Sequence, residues 1–368
     1  AVLVKYQKNR DELVQHRRKF QTAQQSGRFA SLLVPLRTQT WGGGFAAVMP
    51  LSQGLDLANA RWCITGEEAR GLSRRGEVTM VAMANELRLL DSQNGRVLES
   101  WQDKLFRNLH SVEFHPQDSQ RVLLANSGFD QILEYHLTDR KVVWQWQAWE
   151  NGYHHNPYGL GLLHSQQALP EGEHNRLLSR EEAMEAIRRE DPIPGEENWW
   201  VRVNFDGVEH PLGLEKWLKG AEPNWAGYDP HGHGILATFF VASQAVCLDP
   251  ATGQVKVIKK AFGRPHGLVP WQDGYVISAT RRGHATLLDH DFRTRCCYQF
   301  TTMPLPATYA ESDGEWLQFT NPIGNGLLAT VDSRRATVFV WDPQAAIYER
   351  YPFNRDWEVH SVMGYEGA

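Results

Sequence analysis

An all-β chain folded as a single β-propeller is predicted by three features of the sequence. A three-strand pattern recurs five times from residue 76 onward, at intervals of roughly 35 to 50 residues. The composition, 42% hydrophobic and 22% charged with 14 Trp, suits a real core built of stacked sheets. The chain also ends on a strand-like segment, Val359-His360-Ser361-Val362-Met363, with no meander after it.

The elements follow in order. Val4 to Gln25 has Leu13, His16 and Phe20 on one helical stripe, so residues 1–29 are expected to form a helical arm lying on the body. The propeller domain is then 30–368. Its five units are VTMVAMAN-ELRLLD-SQNG-RVLESW (78–101), VLLANSG-FDQILEYH-LTDR-KVVWQW (122–146), ILATFFVA-SQAVCLD-PATG-QVKVI (235–258), YVISATRRG-HATLLD-HDFR-TRCCYQF (275–300) and LLATVDSRR-ATVFVWD-PQAA-IYERY (327–351). Each reads as a short antiparallel meander that cannot bury both faces alone, and radial stacking solves that problem.

A further short strand precedes most units: Leu109-His110-Ser111-Val112-Glu113, Pro230-His231-Gly232-His233-Gly234 and Arg264-Pro265-His266-Gly267-Leu268. The unit at 78 has no such histidine-bearing strand, so the C-terminal strand 357–364 is expected to complete it and close the ring. Trp41 to Met49 is the competing supplier of that strand. Tyr153 to Gly159 is read as the opening of a blade interrupted by an insertion, 165–225. The insertion holds a helix with a capping box (Ser179 with Glu182, running to Glu190), a stop at 191–195, and a strand at Trp199 to Phe205. The blade count is six, with seven as the alternative.

Composition excludes several functions. A net charge of −5 and a pI near 6.3 argue against a nucleic-acid binder held by a basic surface. No run approaches the ~18 apolar residues of a membrane span, and the opening AVLVKYQKNRDELVQ has no apolar core before a cleavage site, so a cytoplasmic protein is expected. The four cysteines include no CxxC pair and read as buried thiols. No GxSxG, Walker loop, GxGxxG-helix unit or HExxH is present, so no nucleotide cofactor is indicated. Gly42-Gly43-Gly44 reads as a tight packing point.

The repeats place chemistry at one mouth of the channel, because the innermost strand of each blade lines it. His110, His266 and His360 are the candidate catalytic residues. With His155, His231 and His233 they form a candidate metal set for an iron, zinc or copper ion, with Glu113 or Glu358 orienting ring nitrogens. Turns between middle strands add Asp130, Arg281, Arg282, His284, Arg334 and Arg335 to the same face. The arginine pairs Arg281-Arg282 and Arg334-Arg335 suit a carboxylate, sulfate or phosphate, and Tyr158 and Trp225 complete the candidate substrate contacts. The plainer readings are strand-capping histidines and solvated turn charges.

The unit NLHSVEFHP…VLLANSGFDQILEYHLTDRKVVWQW resembles blades of arylsulfotransferase-like and, more loosely, WD40-like β-propeller proteins, over about one blade well and two or three loosely. The resemblance implies a channel histidine (His110, His266 or His360) that takes a sulfuryl group, with Arg281 and Arg334 holding the sulfate. The chain is shorter than those proteins. Carotenoid-cleaving oxygenases offer an architectural comparison, holding iron on propeller histidines.

The reading favoured by the sequence is an enzyme with a histidine-held metal at the propeller axis, of oxidoreductase or lyase type, acting on a small anionic or aromatic molecule. Tyr153, Tyr158, Trp225, Tyr228 and the insertion would form its lid. Metal-free group transfer at a channel histidine is the second reading. A non-catalytic interaction scaffold with a protein partner is the third.

Overall fold

The computed structural model describes residues 31–37, 44–51, 55–164, 167–172, 174–189, 198–203, 213–299, 314–355 and 357–365. The N-terminal arm and the stop at 191–195 lie outside the described residues.

Five sheets are four-stranded antiparallel meanders, the regular blades of a β-propeller. The first comprises Gly71–Arg75, Val78–Ala82, Glu86–Asp91 and Val97–Gln102. The second comprises Leu109–Phe114, Arg121–Asn126, Gln131–His136 and Lys141–Gln147. The third runs Pro223–Tyr228, Ile235–Phe239, Gln244–Leu248, Val255–Lys259. The fourth runs Pro265–Trp271, Gly274–Ala279, His284–Asp289, Thr294–Gln299. The fifth runs Leu317–Gly324, Leu327–Asp332, Thr337–Asp342, Ile347–Pro352.

The acidic residue that ends the third strand of most units has a local cause. Its carboxylate accepts a backbone N–H just ahead in the turn, from Gln93 to Asp91, Ala251 to Asp249, Arg293 to Asp289 and Gln344 to Asp342, each at 2.8 Å. The second blade carries His136 instead, and its Nδ1 accepts from Asp139 N at 3.1 Å.

The expectation of six blades, or seven, is corrected: five sheets are blades of this kind. The remaining sheet of the ring is a composite of five strands, Ser31–Arg37, Gly44–Pro50 and Trp62–Gly66 with the C-terminal Glu358–Val359 and Met363–Tyr365. The C-terminal strands pair with Ser31–Arg37, not with the 78 unit, whose inner strand is Gly71–Arg75. Gly44–Pro50 sits inside this composite sheet, so the 41–49 segment does not complete the 78 unit either.

Core residues lie between neighbouring sheets. Val48, Met49 and Trp62 of the composite sheet pack with Val81 and Leu90 of the first blade and with Val331 and Val338 of the fifth. The other junctions are filled the same way, for example by Trp101, Phe106 and Tyr135, and by Trp146, Phe239 and Ala226. The ring is thus closed by burial on both sides of the composite sheet.

Gly161–His164, just ahead of the insertion, joins Asn175–Leu178 and Asn198–Val203 within it in a small parallel sheet beside helix Arg180–Arg189. Ser179 and Glu182 exchange the expected capping-box bonds, at 2.7 and 3.1 Å. Tyr153 to Gly159 opens no blade; its one β pairing among the described residues is an isolated bridge from His155 to Gly161. The cysteine expectation is also corrected. Cys247 is buried, but Cys296 and Cys297 are exposed because they lie on the outermost strand of the fourth blade.

Candidate functional site

At or beside the start of each inner strand stands an apolar residue followed by a polar one: Ala69-Arg70, Leu109-His110, Pro223-Asn224, Pro265-His266, Leu317-Gln318 and Val359-His360. The apolar partner enters the inter-blade core. The polar partner turns to the axis, as the two-residue period of a strand requires. All six polar side chains line one cavity of about 160 Å³, together with Asn108, Lys216, Glu222, Phe240, Trp316 and Glu358.

Glycine makes this layer compact. A Cβ on Gly71 would meet the Ser111 Cα at 2.7 Å, so the first two inner strands approach closely only without a side chain there. Gly267, at φ +62°, sits in a register shift between His266 and Leu268 that places the imidazole in the layer.

The ring centroids of His110 and His360 are 5.4 Å apart, and those of His266 and His360 are 6.4 Å apart. Arg70 Nη1 lies 2.9 Å from His110 Nδ1 and 3.2 Å from Nε2, and Arg70 Nη2 pairs with Glu68 at 2.5 Å. A guanidinium only donates, so the ring nitrogen that accepts from it carries a lone pair and His110 is neutral, while Nδ1 also lies 3.3 Å from Asn108 O, which only accepts. Burial, then the Arg70 charge, holds its pKa well below the usual value. Burial alone dominates at His266, whose pKa falls to about 3 while its Nδ1 meets Thr280 Oγ1 at 2.6 Å. Glu358 lies 4.0 Å from His360 Nε2.

Cations and aromatic rings crowd the outer side of the cavity. Lys216 lies 4.6 Å and Arg264 5.2 Å from the Phe240 ring centre; Arg281 lies 4.4 Å and Arg334 5.6 Å from that of Trp316. Burial lowers the Lys216 pKa, with Arg264, Lys219 and Arg281 adding to the effect against Glu222. The wall holding Lys216 and Glu222 comes from the insertion. It is pinned by Asp130, whose carboxylate accepts from the backbone N–H of Gly220 (2.7 Å), Ala221 (3.2 Å) and Glu222 (2.5 Å). Burial still raises the Asp130 pKa to about 6 against those bonds.

Of the sequence candidates, His110, His266 and His360 come together, with Arg281 and Arg334 at the rim on Trp316. His231 and His233 do not join them. Pro223–Tyr228 is the inner strand of their blade, and 230–234 is the hairpin after it, with Gly232 and Gly234 at φ +82° and +110°. That hairpin belongs to the opposite mouth, where Asp229 and Pro230 border the same opening as Glu113. His155 packs on His154 and Trp200 beside the insertion. Tyr158 is 56% exposed and lines neither channel cavity. Arg282 bonds Ala261 O and packs on Gly263, away from the cavity. Arg335 is buried between Glu315 and Asp332. His284 packs near Phe262. Trp225 lines a second chamber of about 380 Å³ on the far side of the polar layer.

Sequence reasoning missed Arg70, Asn224, Gln318, Trp316 and Lys216. The first three carry a signal, the apolar-polar pair at each inner-strand start, but only three of the six pairs show histidine. Lys216 belongs to no repeat.

An iron, zinc or copper ion fits this layer poorly. A dication bound to His110 would stand against the Arg70 guanidinium, and among the described residues no group of three or more His, Cys, Asp or Glu has the arrangement of a metal site.

No family model and no curated protein matches the chain. Among solved structures, a protein of unknown function from Bacteroides caccae superposes at a TM-score of 0.52, with 11% identity over 91% of this chain and 98% of that one. The β-propeller domain of Myceliophteria thermophila Cps50 (Swd1) gives 0.48, with 12% identity over 88% and 84%. Virginiamycin B lyase from Staphylococcus aureus gives 0.44, with 8% identity over 77% and 70%. No helix is long and apolar enough to cross a membrane among the described residues. The similarity is one of fold: the chain is built as a β-propeller.

Proposed function

We propose that the polar layer binds a small oxyanion and carries out metal-free group transfer at His360. One observation carries the reading: a buried guanidinium, Arg70, lies within hydrogen-bond distance of neutral His110 in the cavity that also holds His266, His360 and Lys216. The buried Arg70 and the more exposed Lys216 beside neutral imidazoles favour an anion over a metal ion. In the transfer, a His360 ring nitrogen bonds to the central atom of the oxyanion. The bond to the leaving group breaks, and that group departs with the electron pair. Glu358 stabilises the charged imidazole, and Arg70 and Lys216 hold the oxyanion oxygens. This is the chemistry implied by the resemblance to arylsulfotransferase-like propellers. Arg281 and Arg334 serve here as an outer rim, not as the innermost contacts.

The test is release of nitrophenol from 4-nitrophenyl sulfate and 4-nitrophenyl phosphate in the presence of chelator. The reading expects turnover of at least one, abolished in His360→Ala and weakened in Arg70→Gln with the fold intact. Near-stoichiometric metal in the purified protein, lost in a His266→Ala/His360→Ala double variant, would overturn it in favour of a metal centre. Tight anion binding with no turnover of either ester would leave a binding module.

A further inference from the structure

The chamber of about 380 Å³ beyond the polar layer is a site in its own right, within the size range of small-ligand pockets. Arg70 and His110 border both it and the smaller cavity, so this pair forms the partition between them. We propose that the chamber binds a neutral polyhydroxylated molecule, a sugar or cyclic polyol, with Glu113 as its principal hydrogen-bond acceptor.

The lining supplies complementary groups. Three serine hydroxyls already accept a bond from the protein: Ser73 from Phe114 N (3.2 Å), Ser111 from Ala226 N (3.1 Å) and Ser361 from Asn321 Nδ2 (2.8 Å). Each keeps its own O–H to donate into the chamber. Glu113 borders the same space and its carboxylate has no hydrogen-bond partner among the described residues. Glu113 is half-buried, so a ligand that displaces its remaining water must supply donors, which ligand hydroxyls do. Trp225 and Phe319 add apolar walls.

Charge selects the class. Arg70 and Arg74 line the chamber, and the Arg75 charge acts on Glu113, which disfavours a cationic ligand. Arg75 itself is committed to His115 O and the face of Phe114, and Arg74 to Gly76 O and the face of Tyr365. Glu113, its pKa raised to about 7 chiefly by burial, still carries part of a negative charge at neutral pH and disfavours an anion. A neutral molecule offering several hydroxyls meets neither objection and matches three donors and one acceptor. The assignment does not depend on the transfer reaction at His360.

Isothermal titration with myo-inositol and glucose, beside putrescine and acetate, tests it at neutral pH. Saturable binding of at least one polyol with Kd of about 10 mM or tighter is expected, weakened about tenfold in Glu113→Gln. His360→Ala should bind that polyol within about threefold of the parent, which separates this site from the transfer site. Thermal unfolding of Glu113→Gln establishes that the variant is folded. Three results would overturn the assignment: no polyol binding, polyol binding indifferent to Glu113→Gln, or tighter binding of putrescine or acetate at this chamber.

Discussion

Arg70 Nη1 lies 2.9 Å from Nδ1 of His110, and the two residues stand at the starts of neighbouring inner strands, Arg70 just before Gly71–Arg75 and His110 second in Leu109–Phe114. The contact makes His110 an acceptor and places a fixed positive charge in the centre of the polar layer. Replacing Arg70 by Gln should let the His110 pKa rise towards its usual value, since the Arg70 charge is the second-largest cause of its depression. It should remain below that value, because burial is the largest. Titration of the imidazole by NMR in both proteins measures this. No movement of the His110 titration would contradict the geometry.

Acid should destabilise the fold through His266. Its pKa is depressed to about 3, so between that value and the usual 6.5 the unfolded chain binds the proton and the folded chain does not. Stability therefore rises with pH through this window and is lost as pH falls below about 6.5. The histidine alone accounts for roughly 2 kcal/mol between pH 7 and pH 5. Denaturant unfolding at both values should show a smaller loss in His266→Gln than in the parent.

Asp130 should be worth more than an ordinary turn residue. Its backbone is left-handed, at φ +58°, and its carboxylate holds three N–H groups of the 220–222 segment. Asn tolerates that backbone but turns an N–H₂ towards donors, so Asp130→Asn should cost about 2–4 kcal/mol. The wall carrying Lys216 and Glu222 should loosen with it. Hydrogen exchange at Gly220 to Glu222, beside thermal unfolding, reads both effects. Unchanged protection there would mean that the segment is held by other contacts.

Thiol chemistry should divide the cysteines by blade position. Cys296 and Cys297 are exposed on an outer strand, whereas Cys247 is buried, donates to His233 O at 2.8 Å and has its pKa pushed up chiefly by burial. A thiol-specific reagent should label Cys296 and Cys297 in the native protein and reach Cys247 only on unfolding. Peptide mapping after labelling distinguishes the outcomes.

Much of the blade architecture was legible in the chain because its signals are local. Strand alternation, the turn-capping Asp91, Asp249, Asp289 and Asp342, and the Ser179–Glu182 capping box each depend on residues a few positions apart. Repeat register also brought His110, His266 and His360 to one level, because equivalent positions in stacked blades share a height along the axis. What local pattern could not carry was pairing between distant segments. HGHG and PNWAGY both precede Ile235, and only the sheet shows that the second is the strand and the first its hairpin, which sends His231 and His233 to the far mouth. The partner of the C-terminal strand was decided likewise, by burial of the composite sheet between the first and fifth blades. The sequence by itself determined the three outer strands of the five blades, their turns and the height of three histidines. Only the tertiary structure decided that Arg70 and Lys216 stand among them, because an inner strand without histidine and a wall from an insertion meet the ring through long-range packing, which no repeat encodes.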